Sequence, residues 1–204
     1  EIPLRLVGSE MCIRDSMIGI DNSFDMLDMA LEREDDRILY LMQDMREFEP
    51  GEKVSAVVSA CDSINYILEP EDLQAVFFCV SESLKEGGIF IFDINTPYKY
   101  EVLMADNTIA ENRDEGSFIW DNYYDADEKI NEYDLTLFIK EQSEDEDDIY
   151  KKFEETHFQR CYEISELKEL LEQSGLVFDA VYDAYTDNQV KCDSEKVTLI
   201  AHKA

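Results

Sequence analysis

The chain has 204 residues, 18 of them Lys or Arg and 49 Asp or Glu, for a formal net charge of -31. So acidic a surface repels phosphate backbones, and no basic stripe with interleaved aromatics offsets it, which argues against nucleic acid as substrate. No apolar run spans a bilayer and no basic-then-apolar leader is present, so a soluble, cytoplasmic setting without membrane partners is expected. The length suits one α/β domain with room for an insertion. Cys12, Cys61, Cys79, Cys161 and Cys192 are scattered without C-x-x-C spacing, which reads as reduced thiols rather than disulfides or a zinc site.

Glu1 to Ser16 match neither the composition nor the logic of the rest of the chain. The stretch V-G-S-E-M-C-I-R-D-S reads as a translated sequencing adapter, with the native sequence expected to start near Met17; a short strand over Pro3 to Val7 is the alternative. Met17 to Ile20 is a short apolar run ending at Asp21. Phe24, Leu27 and Leu31 then recur at helical spacing behind Ser23, a suitable N-cap. Ile38 to Met42 reads as the next strand, closing on Gln43, Asp44 and Met45, and Pro50-Gly51 marks a turn.

Val54 to Tyr66, V-S-A-V-V-S-A-C-D-S-I-N-Y, reads as a strand covered on both faces that runs into a polar cluster. In open α/β sheets ligands sit beyond the carboxyl ends of the strands, which singles out Asp62, Ser63, Asn65 and Tyr66. Asp62 or Ser63 would equally serve to cap the next helix. Pro70 to Leu84 is amphipathic, with Leu73, Val76, Phe77, Val80 and Leu84 on one face, and Lys85-Glu86-Gly87-Gly88 is expected to stop it. Ile89 to Phe92 is a fourth strand, again closed by an acid, Asp93.

After Tyr100 the pattern changes. Ser117 to Tyr124, Ile130 to Lys140 and Tyr150 to Tyr162 alternate as antiparallel strands with one wet face. The run Glu141 to Asp148 cannot pack and reads as a solvated hairpin loop rather than a metal site. Ser165 to Ser174 is a helix ended by Gly175, and Val177 to Tyr185 with Lys196 to His202 form a closing strand pair. The expected boundaries are a core over 17–100 and 163–204 and an inserted β cap over 101–162.

The ordered series I-G-I-D-N-S-F-D-M-L, Q-D-M-R, C-D-S-I-N-Y and G-G-I-F-I-F-D resembles the class I S-adenosylmethionine-dependent methyltransferases, of the small-molecule type with a β insertion. The resemblance covers Met17 to Lys203. It implies a Rossmann-like doubly wound sheet with a C-terminal antiparallel hairpin, S-adenosylmethionine as cofactor and a small-molecule acceptor. It also implies that Asp21 takes the cofactor's ribose hydroxyls, that Asp44 and Met45 meet the adenine, that Met26 lines the adenine pocket and that Asp62 approaches the methionine end. The family's first strand and glycine-rich loop are not found upstream of Asp21. An N-terminally truncated, weakly binding copy is therefore the expectation.

A hydroxyl or amine acceptor needs a base, for which His157 and then Tyr66 are the candidates; a structural role is the alternative for His157. Strand alternation sends His157 and Arg160 to opposite faces. Asn65, Trp120, Tyr124 and Arg160 are the candidate acceptor contacts, although packing between cap and sheet would account equally for the aromatics. A non-catalytic binding module on the same scaffold and a nicotinamide-dependent Rossmann oxidoreductase are the rival readings.

Overall fold

The computed structural model describes residues 17–33, 35, 37–141 and 149–204. Pro3 to Val7 and nearly all of the acidic hairpin loop lie outside the described residues. The chain divides into two units, one up to Glu52 and the other from Lys53.

The first unit holds a β-α-β segment: β1 (Met17–Asp21), α1 (Phe24–Leu31) and β2 (Ile38–Met42), with β1 and β2 parallel and Met17 opposite Ile38. Ser23 caps α1 as expected, its Oγ accepting from the Met26 amide at 3.3 Å. Gly19 packs flat against Tyr40, whose ring would lie 2.8 Å from any Cβ at that position. The apolar residues of α1 do recur at helical spacing, yet none of them is buried, and Phe24 is 70% exposed.

The second unit is built on the sheet β3-β4-β10-β9. Its strands are β3 (Val54–Ser59), β4 (Leu84–Asn95), β9 (Leu176–Asp183) and β10 (Lys196–Lys203). β3 and β4 run parallel, and β10 is antiparallel to both its neighbours, which is the closing hairpin expected from the sequence. Two helices, α2 (Pro70–Ser83) and α3 (Ile164–Gln173), supply Leu73, Val76, Phe77, Val80, Leu167 and Leu171 to the core. Phe77 sits 5.8 and 5.5 Å from the rings of Phe90 and Phe92 on β4. Removing an aromatic side chain from such a cluster costs about 3–5 kcal/mol, so this is the firmest part of the unit. Gly175, at φ +78, ends α3 in the left-handed conformation a glycine adopts without steric cost.

A second sheet, β5-β6-β7-β8, is an antiparallel meander of β5 (Thr108–Asn112), β6 (Gly116–Asp125), β7 (Ile130–Glu141) and β8 (Ile149–Arg160). On one face it buries Asn122 and Asn131, which exchange side-chain amide hydrogen bonds of 3.0 and 2.9 Å.

Three local expectations change. β3 is not covered on both faces: among the described residues it is the outer strand of its sheet, paired with β4 alone, and Val58 is 61% exposed. α2 is not stopped by the glycines, because Leu84 is already extended and opens β4 directly. Lys85 to Gly88 instead form an excursion in that strand, where the register jumps from Val54–Leu84 to Ala56–Ile89. Asp93 does not close a strand but lies inside β4, which runs to Asn95. The π-helical turn Lys99–Met104 and strand β5 were not anticipated. None of the described helices is long and apolar enough to cross a membrane. Among the described residues Cys61, Cys79, Cys161 and Cys192 form no disulfide, and there is no cluster of metal-ligating side chains.

Candidate functional site

In the first unit the acids are held by near neighbours. Asp21, the last residue of β1, accepts from the Ser23 amide at 2.8 Å through Oδ1. Its other oxygen has no hydrogen-bond partner among the described residues, and the side chain is half-buried. A carboxylate with one oxygen anchored and one open suits a vicinal diol, which offers two donors. Asp44 is different: Oδ1 accepts from the amide and Nε of Arg46 at 2.9 and 3.0 Å, and Oδ2 from Nη2 at 2.7 Å. The Arg46 hydrogen bonds hold its carboxyl below the usual carboxylate range. Met45 is half-buried, and Met26 lies on α1 with 46% exposure.

In the second unit Asp62 is the centre of a polar network built from distant parts of the chain. Oδ1 meets Lys196 Nζ at 2.7 Å, while Oδ2 accepts from Gln159 Nε2 at 2.8 Å and Asn95 Nδ2 at 3.2 Å. The Asp62 amide donates to both oxygens of Asp93, each at 3.3 Å. Asp93, 1% exposed, also takes Lys196 Nζ at 3.0 Å and the Tyr185 hydroxyl at 2.7 Å. Tyr100 donates to Gln159 at 3.0 Å, and Lys99 donates to Asn95 at 2.9 Å.

Burial pushes the Asp62 carboxyl up, but the Lys196 hydrogen bond and charge, with Gln159 and Lys99, outweigh it and leave the pKa lowered. The same balance raises Lys196, where burial is outweighed by the two carboxylates. At Lys99, burial outweighs the charges of Asp62, Glu195 and Asp93, and its pKa falls.

Above this network the meander presents an aromatic wall. His157 stacks on Tyr133, its cross-strand partner, at 4.8 Å and 17°, and meets Tyr66 edge-on at 5.9 Å. The Tyr66 and Tyr133 hydroxyls are hydrogen-bonded to each other. Trp120 lies against Tyr133 at 4.7 Å, and its buried indole Nε1 has no hydrogen-bond partner among the described residues. His157 Nε2 is 3.2 Å from Glu155 Oε2. Burial is the main cause that raises both tyrosine pKa values, so these hydroxyls stay protonated near neutral pH.

The remaining sequence candidates stand apart from that wall. Asn65 is fully buried; its Nδ2 donates to the Arg160 carbonyl at 2.8 Å and its Oδ1 accepts from the Asn95 amide at 3.0 Å. Tyr124 stacks on Tyr100 at 5.8 Å. Arg160 reaches the Leu68 carbonyl at 3.3 Å and Glu166 at 3.5 Å, on the face of β8 opposite His157. Asp93, Asn95, Lys99, Tyr100, Tyr133, Gln159, Tyr185 and Lys196 were not among the candidates. Of these only Asp93, closing an apolar run, carried a local sequence signal.

A Rossmann-type β-α-β segment, acids at strand ends and a closing antiparallel hairpin define the class I methyltransferase fold. No family model matches the chain. It is 32% identical over 189 residues, 91% of this chain and 74% of the relative's length, to the Bacillus subtilis (strain 168) protein named "Putative methyltransferase YqeM". Over 92 residues, 45% of this chain and 37% of the relative, it is 35% identical to a Streptomyces venezuelae dTDP-3-amino-3,4,6-trideoxy-alpha-D-glucopyranose N,N-dimethyltransferase. A crystal structure of an S-adenosylmethionine-dependent methyltransferase from Clostridium acetobutylicum ATCC 824 superposes with a TM-score of 0.84 at 27% identity, covering 93% of this chain and 76% of that one. The chain belongs to the S-adenosylmethionine-dependent methyltransferases.

Proposed function

We propose that the protein transfers a methyl group from S-adenosylmethionine to an amine or hydroxyl of a small polar acceptor, with His157 as the base. The observation that carries the acceptor side is the wall of Tyr66, Trp120, Tyr133 and His157. The partial match to an amino-sugar dimethyltransferase supports a small-molecule acceptor. On the cofactor side Asp21, with an open oxygen, holds the ribose, and Asp44 with Met45 meets the adenine. When bound, the cofactor supplies a methyl group already activated on a sulfonium, so placing the acceptor is the main catalytic requirement.

His157 and Tyr66 divide the remaining work. Tyr66, its pKa raised chiefly by burial, is a hydrogen-bond donor near neutral pH and not a base. If His157 Nε2–H donates to Glu155, the ring's other nitrogen carries the free lone pair that takes the acceptor's proton. Glu155 then fixes the tautomer.

Calorimetric titration with S-adenosylhomocysteine, with NAD as control, tests the cofactor side. Weak binding of the former alone is expected; a folded sample that binds neither would sink the cofactor side of the reading in favour of a non-catalytic module. Mass spectrometry against a panel of small amines tests the acceptor side. Replacing His157 by Ala should lower turnover on a hydroxyl or protonated amine by about 100-fold while leaving cofactor affinity intact.

A further inference from the structure

Cys61 and Asp62 are consecutive non-glycine residues with φ of 62° and 53°. Left-handed backbone disfavours side chains, and two such residues in series persist only where the surroundings over-determine them. Here the surroundings are the Asp62 network: its amide on Asp93, its carboxylate on Lys196, Gln159 and Asn95, and its carbonyl accepting from the Asn65 amide at 2.9 Å. Two carboxylates therefore converge on one turn. Lys196 is the cation that touches both, at 2.7 and 3.0 Å.

We infer that Lys196 is a positioning residue for methyl transfer: by bridging Asp62 and Asp93 it holds the Cys61–Asp62 turn in the left-handed form that presents Asp62. This rests on the methyltransferase reading above together with the family resemblance, which implies that Asp62 approaches the methionine end of the cofactor. The other titratable groups facing the turn do not replace it. Lys99 hydrogen-bonds the neutral Asn95, Tyr185 donates to Asp93 alone, and Glu195 adds negative charge nearby. Tyr66, Tyr100 and Tyr133 are neutral hydroxyls with raised pKa values, and Cys61 is an exposed thiol.

Without the ammonium, Asp62 and Asp93 repel whenever both are ionised, and two carboxylates sharing a site raise the pKa of one. S-adenosylhomocysteine affinity, measured by calorimetry, should be nearly flat between about pH 6 and about pH 9 in the parent protein. In Lys196→Met it should fall by about tenfold or more at the upper pH and recover toward the lower one. Lys196→Arg should keep the flat profile. Adding Asp93→Asn to Lys196→Met should restore affinity at high pH, because the introduced carboxamide still accepts from the Asp62 amide and carries no charge.

A folded Lys196→Met protein whose affinity matches the parent at both pH values overturns the proposal. So does a loss that is equal at all pH values and not rescued by Asp93→Asn, which is the signature of a merely structural lysine. If Lys196→Met does not fold, carboxyl carbon NMR of the parent decides: Asp62 should stay ionised down to about pH 5, and a proton on it above that overturns the proposal. A folded parent that binds no S-adenosylhomocysteine removes the cofactor role of Asp62 on which the proposal rests, and the proposal with it.

Discussion

The acids of the two units resemble each other in sequence and differ in structure. Asp21 and Asp44 each follow an apolar strand and take partners no more than two residues away, Ser23 and Arg46. Asp62 and Asp93 also follow apolar runs, but they join residues 31 to 134 positions apart into one buried network. Asp44 and Asp62 have nearly equal side-chain exposure, 24% and 23%, so the reach of their partners separates them, and Asp21 keeps an open oxygen. A carboxylate with distant partners fixes the chain. The same sequence signal, an acid after a strand, therefore takes partners from its own turn in one place and from across the chain in the other.

The largest effect expected from this difference is at Asp93. Replacing it by Ala removes the acceptor for the Asp62 amide, half of the Lys196 bridge and the Tyr185 partner, and breaking a buried pair costs about 3–5 kcal/mol. Chemical denaturation should show a loss of that order with the transition still cooperative. A loss under about 1 kcal/mol would place Asp93 with the local acids and dissolve the contrast.

At Asp21 the effect should appear in binding instead. Asp21→Asn keeps an oxygen for the Ser23 amide, so stability should hardly move. The charge-assisted bonds to a ribose diol are weakened, which lowers S-adenosylhomocysteine affinity by about tenfold. A variant that binds as tightly as the parent would remove Asp21 from the cofactor site.

The ends of β1 and β2 were legible because an apolar run that stops at an acid is a short-range pattern, whereas the same pattern at Asp93 falls inside β4. The helices α2 and α3 and the closing hairpin were legible for the same reason: Leu73, Val76, Phe77 and Val80, or Leu167 and Leu171, announce a buried face by spacing alone. The partners of Asp62 were not. Lys196 lies 134 residues from it and Gln159 lies 97 residues away, and neither differs locally from the solvated Lys and Gln residues elsewhere in the chain. Asn65 shows the converse. Its position after a strand suggested acceptor contact, whereas both ends of its amide meet backbone groups of β8 and β4. Periodicity also overstated burial in α1, since a helical apolar stripe states which residues share a face and not what covers it.

The pH dependence of stability sharpens the comparison further. Asp62 has its pKa lowered in the folded protein, so its contribution is present above the ordinary carboxylate range and is lost as pH falls through the folded value. Lys196 and Tyr185 are raised, Lys196 by its carboxylates against burial and Tyr185 to about 12 chiefly by burial. Their contributions are complete below the ordinary lysine and tyrosine values and are lost as pH rises through the folded ones. The second unit should therefore lose stability at both extremes. Lys196→Met should flatten the alkaline slope, and a slope unchanged by that substitution would mean that the network does not govern it.

Asp44 should give the smallest response. It shares with Asp62 a lowered pKa, with the Arg46 hydrogen bonds as the largest cause, and the sign of its linkage is the same: stability present above the ordinary carboxylate range and lost as pH falls. Its partner is two residues away and the Arg46 side chain is 48% exposed, so water and salt screen the pair. Asp44→Ala should cost under about 1 kcal/mol, less still at high salt. A cost near that of Asp93→Ala, unaffected by salt, would show that a pair held by adjacent residues can anchor a fold as firmly as one drawn from across the chain.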